Sequence, residues 1–202
     1  ELLASGGGLG LMALNRAAAA AATAVLAKPL MLPQRSVAAA SSRSIGFPLA
    51  PLGSIKRIGA DKREHVPVEE VRDILAKAIR DGQYFINPAA MPLDVFDDQC
   101  RFKDPTTDVV GLSRYVKALG VLFDPLRSSV TLGSIRVAGP TSIVATWQQE
   151  GYLKLPWNPY VPRYQSETTW TLDSATGLIK MQEHTWSISA FEALRETFTP
   201  HA

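Results

Sequence analysis

The stretch FDDQCRFKDPTTDVVGLSRY, residues 96–115, decides the fold. It reads as one strand, a sharp exit at Asp104-Pro105, and the start of a helix. Side chains two apart on a strand share a face. Asp98, Cys100, Phe102 and Asp104 therefore line one side, with Gln99, Arg101 and Lys103 on the other. The second side is wholly polar and suits water. The first combines a thiol, a ring and two carboxylates, a composition suited to the wall of a small pocket.

Helices are expected on both sides of this strand. Upstream, VPVEEVRDILAKAIRDGQYF at 66–85 repeats Val68, Val71, Ile74, Leu75, Ala78 and Ile79 at helical spacing, with Pro67 near its start. A loop, NPAAMP, and a short helical piece around 93–96 lead into the strand. Downstream, GLSRYVKALGVLF at 111–123 places Leu112, Tyr115, Val116, Leu119 and Phe123 on one face, and Asp124-Pro125 stops it. Four strands are then expected, at 129–137, 143–155, 167–172 and 178–188, and a last helix at 190–197. Gly133 falls where the alternation of the first slips, which predicts a bulge. PWNPYVPRY at 156–164 carries three prolines and reads as an ordered loop. Long helices on one face of a bent antiparallel sheet make an α+β cone, with room for a ligand between the layers.

Composition divides the chain near residue 60. Before Asp61 there is one acid, Glu1, against six bases, which leaves 15 basic and 18 acidic residues for the remainder. The +2 total thus hides a basic tail of +5 and a body of −3. The basicity belongs to the tail and gives no argument for nucleic-acid binding. A basic, Ser-bearing, acid-poor tail resembles an organelle transit peptide, the alternative being an ordinary disordered tail. The expected division is a tail at 1–60 and a domain at 61–202. No transmembrane span is expected, because the apolar run at 11–27 contains Asn15 and Arg16 and falls short of ~20 apolar residues. A single cysteine, Cys100, excludes an internal disulfide. His65, His184, His201 and Cys100 match no zinc spacing, so no metal site is expected. GGGLG at 6–10 has no strand before it and is no dinucleotide fingerprint.

The element order and CRFKDP resemble the nuclear transport factor 2-like (SnoaL-like) cone superfamily. DDQCRFKDPTTDVVGLSRY, EGYLKLPWNPYVPRY and HTWSISAFEALRETFTP resemble one branch, the uncharacterised domain family numbered 2358 of cyanobacteria, algae and plants. The resemblance covers roughly 66–200. It implies a chloroplast location, in the stroma or at thylakoids or plastoglobules. Some members carry the domain ahead of a SOUL-type haem-binding domain, which makes haem a candidate cofactor although no cofactor is evident from the residues.

Asp104 is the first candidate catalytic residue. In the wider superfamily an acid in the cone acts as general base, and burial would raise its pKa. The alternative is that Asp104 bonds the backbone of the TTD turn. His184 shares a face with Trp186, Gln182, Lys180 and Leu178, and either enters the cone or bonds a neighbouring strand. Cys100 is a nucleophile, an iron ligand, or inert packing. Asp98, Cys100, Phe102, Tyr115, Trp147, Trp157, Tyr164, Trp170 and Trp186 are the candidate ligand-binding set, with Trp157, Tyr160 and Tyr164 on a rigid aromatic loop at the cone mouth.

Three functions follow. The first is binding of a hydrophobic tetrapyrrole, isoprenoid or lipid-derived molecule without turnover, in a cavity lined by Phe102, Tyr115, Trp147 and Trp186. The second is an isomerase or cyclase in which Asp104 lies within hydrogen-bond reach of His184 or Tyr115, a version that fails if Asp104 caps a turn. The third is a scaffold, docking a partner protein or forming a homodimer, with a filled cavity and an apolar patch near residues 157–164.

Overall fold

The computed structural model describes residues 54–188 together with Glu192 and Arg195. The expected tail up to residue 53, and the expected terminal helix apart from Glu192 and Arg195, lie outside the described residues.

The first helix, α1 (Val68–Arg80), buries Val71, Leu75, Ala76 and Ile79, with Glu69 and Glu70 in its first turn and Lys77 and Arg80 in its last. These charges oppose the helix dipole at each end. It stops at Arg80, just before Gly82, where the 66–85 stretch allows an end, and Gln83 takes a left-handed conformation (φ 57°). The Gln83 carboxamide then pairs with the backbone of Val130, donating to its carbonyl at 2.8 Å and accepting its N–H at 2.6 Å. This bend turns Tyr84, Phe85 and Ile86 inward, where all three are buried.

Two 3-10 turns, Pro88–Ala90 and Leu93–Val95, lead into β1 (Phe96–Lys103). β2 (Asp108–Val110) and α2 (Leu112–Leu122) follow, then β3 (Ser129–Gly139), β4 (Ser142–Tyr152), β5 (Tyr160–Leu172) and β6 (Ile179–Trp186). They form one sheet in the order β2-β1-β6-β5-β4-β3. β1 lies parallel to β6 and the other neighbours are antiparallel, so the sheet is mixed where a wholly antiparallel one was expected. The helices cover one face, α1 against β3 and β4 and α2 against β1 and β2. No helix among the described residues is long and apolar enough to cross a membrane.

Gly133 is the extra residue between the pairs Leu132–Trp147 and Ser134–Thr146, the bulge expected from the sequence. Residues 160–164 are strand, not the expected loop. β5 tolerates Pro162 because the prolyl residue sits at a bulge, where 162 and 163 together oppose Glu150, and because β6 ends opposite Ser166. Another bulge, at Lys180, turns that side chain out to solvent, so Lys180 does not share the His184 face.

The segment before α1 packs on this frame. The Lys56 N–H donates to Ser113 Oγ at 3.1 Å, and the Lys62 ammonium meets Asp98 at 2.9 Å. Gly111, at φ 111°, has no room for a β-carbon, which would stand 2.7 Å from the Ile55 side chain.

Candidate functional site

Strand pairing arranges the covered face in rungs. Phe102, Gln182, Trp170 and Ile143 form one across β1, β6, β5 and β4. His184, Thr168 and Ala145 form the next, then Trp186, Ser166 and Trp147, and finally Tyr164 and Gln149. One polar seam crosses these apolar rungs diagonally, from Gln182 and His184 on β6 through Thr168 and Ser166 on β5 to Gln149 on β4. All five are buried.

The inner half of the seam is fully bonded, and its geometry assigns the protons. The Trp170 indole, a donor only, gives its N–H to Gln182 Oε1 at 2.9 Å, and Tyr84 donates to the same oxygen at 3.2 Å. The Gln182 amide nitrogen must therefore face the other way. It donates to the Tyr115 hydroxyl at 2.9 Å and lies 2.7 Å from His184 Nε2, which accepts. The proton of the neutral imidazole is then on Nδ1 and is donated to Thr168 Oγ1 at 2.7 Å, which also accepts the Trp147 indole N–H at 2.8 Å. Burial lowers the His184 pKa to about 3, so the ring stays neutral. Phe85 stacks on Trp147 at 4.2 Å and meets the imidazole edge-on at 5.3 Å.

The outer half is not bonded. Gln149 Nε2 and Ser166 Oγ are buried with no hydrogen-bond partner among the described residues. Aromatic rings surround them. Tyr164 lies edge-on to Trp147 at 6.4 Å and to Trp186 at 6.2 Å. On the opposite, outward face of the sheet a groove of about 280 Å³ lies over the rung Thr146, Glu167 and Thr185 and is separated from these atoms by the sheet itself.

Of the residues expected to form a site, Phe102, Tyr115, Trp147, Tyr164, Trp170, His184 and Trp186 belong to this covered face. Phe102 and Tyr115 stack at 3.8 Å. Cys100 is buried behind them, and burial raises its thiol well above the ordinary range, then the Asp97 charge raises it further, which makes it packing rather than a nucleophile. Asp98 does not join them; its ion pair with Lys62 fastens the preceding segment to β1. Trp157 stands on the surface turn at 155–158, 37% exposed.

Asp104 caps a turn. Its Oδ1 accepts the Thr106 N–H and hydroxyl at 2.7 and 2.8 Å and the Thr107 N–H at 2.7 Å. The version with Asp104 bonded to His184 or Tyr115 is corrected accordingly. Those donors are supplied by the TTD sequence itself, which makes the local bond the shorter route. Desolvation nevertheless raises the Asp104 pKa, against the lowering effect of these bonds. Burial raises both the Tyr115 and Tyr164 phenols, and the Asp104 charge adds to each.

The seam residues Gln182, Thr168, Ser166 and Gln149 carry no catalytic motif, and only their phase could have exposed them. Gln149 continues the alternation of Ile143, Ala145 and Trp147, and Ser166 that of Thr168 and Trp170.

Residues 75–184, more than half of the chain, match the family described as "Uncharacterized conserved protein (DUF2358)". No curated protein matches the sequence. Among solved structures, a protein described as a SnoaL-like polyketide cyclase from Jannaschia sp. CCS1 is 14% identical. The match covers 70% of this chain and 100% of that one, with a TM-score of 0.50. An NTF2-like protein from Burkholderia thailandensis E264 is 15% identical over 67% of this chain and 99% of its own, with a TM-score of 0.49. A protein of ketosteroid isomerase-like fold from Catenulispora acidiphila DSM 44928, solved with trimethylamine, is 16% identical over 63% and 94%, with a TM-score of 0.46. At these identities the likeness is one of fold. With its helices on one face of a six-stranded sheet, the chain adopts the NTF2-like α+β cone and belongs to the DUF2358 family.

Proposed function

We propose that this protein binds a hydrophobic small molecule against the covered face of its sheet and does not turn it over. The NTF2-like fold suggests either cavity binding or isomerase- and cyclase-type chemistry. The observation that favours binding is the pair of buried, unbonded polar atoms, Gln149 Nε2 and Ser166 Oγ, among Trp147, Tyr164 and Trp186. Aromatic rings offer a large apolar contact area, and an unpaired buried polar atom gains most from a partner that arrives with a ligand. A tetrapyrrole, isoprenoid or lipid-derived compound suits that wall; the basic tail supports import into an organelle, and the family resemblance is what favours a plastid. Native mass spectrometry of the protein isolated from its own compartment tests this. Added mass that leaves on denaturation is the expected result, and a bare protein mass overturns it.

A further inference from the structure

We infer that Ser166 and Gln149 together receive one neutral carbonyl oxygen, that of a ketone or ester on an otherwise apolar ligand. The inference rests on the binding reading above and states which chemistry the ligand carries.

Pairing places the two side chains close together. Gln149 is opposite Tyr164, and Ser166, two residues further along β5, is opposite Trp147 on β4 and Trp186 on β6. Diagonal neighbours of this kind have β-carbons ~7–8 Å apart, near enough for both side chains to reach one atom. An amide N–H and a hydroxyl both donate, and a carbonyl oxygen has two lone pairs to accept them. Burying either donor unpaired costs on the order of 1–3 kcal/mol, so a pure hydrocarbon in this place would leave that cost standing.

A carboxylate fits less well. Its charge would enter a buried patch whose rung residues, Trp147, Tyr164, Trp186, Ser166 and Gln149, include no cation. The charged neighbours in sequence point outward: Glu150 pairs with Arg163, 60% exposed at its side chain, and Glu167 faces the groove. The one charge felt by Tyr164 is that of Asp104, an anion. A second anion beside it would be repelled and desolvated together. The inner half of the seam cannot supply the donors, because Gln182, His184 and Thr168 are engaged with one another.

Three probes of one skeleton test the assignment on the full chain: 2-acetylnaphthalene, 2-ethylnaphthalene and 2-naphthoate. Their affinities are read by isothermal titration calorimetry. The ketone is expected to bind about tenfold more tightly than the hydrocarbon, the yield of one hydrogen bond to each of two buried donors after desolvation, and the carboxylate more weakly than either. In Ser166→Ala and Gln149→Leu the ketone loses its advantage while the hydrocarbon binds as well as before. Equal binding of ketone and hydrocarbon to the unaltered protein overturns the carbonyl assignment and leaves the binding reading in place. Tightest binding by the carboxylate overturns it in the same way. Failure of all three to bind overturns both. The comparison of probes on the unaltered chain needs no variant to fold.

Discussion

Trp170 determines the tautomer of His184 without touching it. The indole N–H can only donate, so it orients the Gln182 carboxamide, and the carboxamide nitrogen leaves His184 Nε2 as an acceptor. Trp170→Phe removes that constraint and lets the carboxamide turn over. In the unaltered protein, nitrogen-15 NMR of His184 is expected to show a protonated Nδ1. In Trp170→Phe the proton is expected to shift at least partly to Nε2.

The same histidine sets a pH dependence. Its pKa is about 3 in the folded protein against an ordinary 6.5. Between these values the unfolded chain binds one more proton than the folded one. Stability is therefore fully present above pH 6.5 and is lost as pH falls toward 3, at about 1.4 kcal/mol per pH unit. Asp104 acts in the opposite sense, because its raised pKa makes the folded state the better proton binder as pH falls. Comparing urea unfolding of the unaltered protein and His184→Gln at pH 6.5 and 5.0 separates the two. The histidine is expected to account for about 2 kcal/mol of loss that the variant does not show.

Gln182 holds four partners at once: Trp170, Tyr84, Tyr115 and His184. Gln182→Leu is close in volume and strands several buried polar atoms. A loss of about 3 kcal/mol or more in chemical denaturation is expected. If the variant is as stable as the parent, the network holds nothing together.

Two glycines are expected to respond oppositely to alanine. Gly151 has φ 149°, and a β-carbon there would overlap Ser128, whose hydroxyl bonds the Tyr152 backbone. Gly151→Ala is expected to lower stability by about 2 kcal/mol or more. Gly120 lies inside α2, where the nearest atom to an added β-carbon is Pro88 Cγ at 3.8 Å. Gly120→Ala is expected to raise stability by about 0.5–1 kcal/mol. Thermal melts of the two variants check the pair.

What could be read in the chain follows the range over which each signal acts. Cys100 and Phe102 were legible as inward because alternation along one strand is local. Gly133 was legible because a bulge shifts the pattern on its own strand. Residues 160–164 were not, because Pro162 forbids a central strand unless a bulge is present and the neighbour has ended, and both depend on β4 and β6. The parallel pairing of β1 with β6 joins Phe102 to Gln182 across the chain and leaves no mark in either segment. The polar seam escaped for a further reason. Gln149 and Ser166 are ordinary surface residue types, and their phase with Trp147 and Thr168 is the one local mark that sets them inward.

The N-terminal boundary carries a prediction of its own. A chain beginning at Asp61 loses the Ile55 contact at Gly111 and the Lys56 bond to Ser113, while one beginning at Ser54 keeps both. The shorter chain is expected to unfold at a lower denaturant concentration, with the same spectroscopic signature of the folded state.

The place of β6 governs how the chain can be made. Among the described strands it is the last to leave the ribosome, yet it sits between β1 and β5 in the middle of the sheet. Until it arrives, those two strands each present an open backbone edge, and the pairing that joins the two halves spans some eighty residues of chain. Closure is therefore late and slow relative to the local hairpins β3–β4 and β4–β5. The nascent protein passes through a stage with two inward-facing edges exposed, when strand addition by another copy is the principal hazard. A chaperone holding the chain until residue 186 emerges would act at that stage, and a ribosome stalled before β6 would leave a product prone to aggregation.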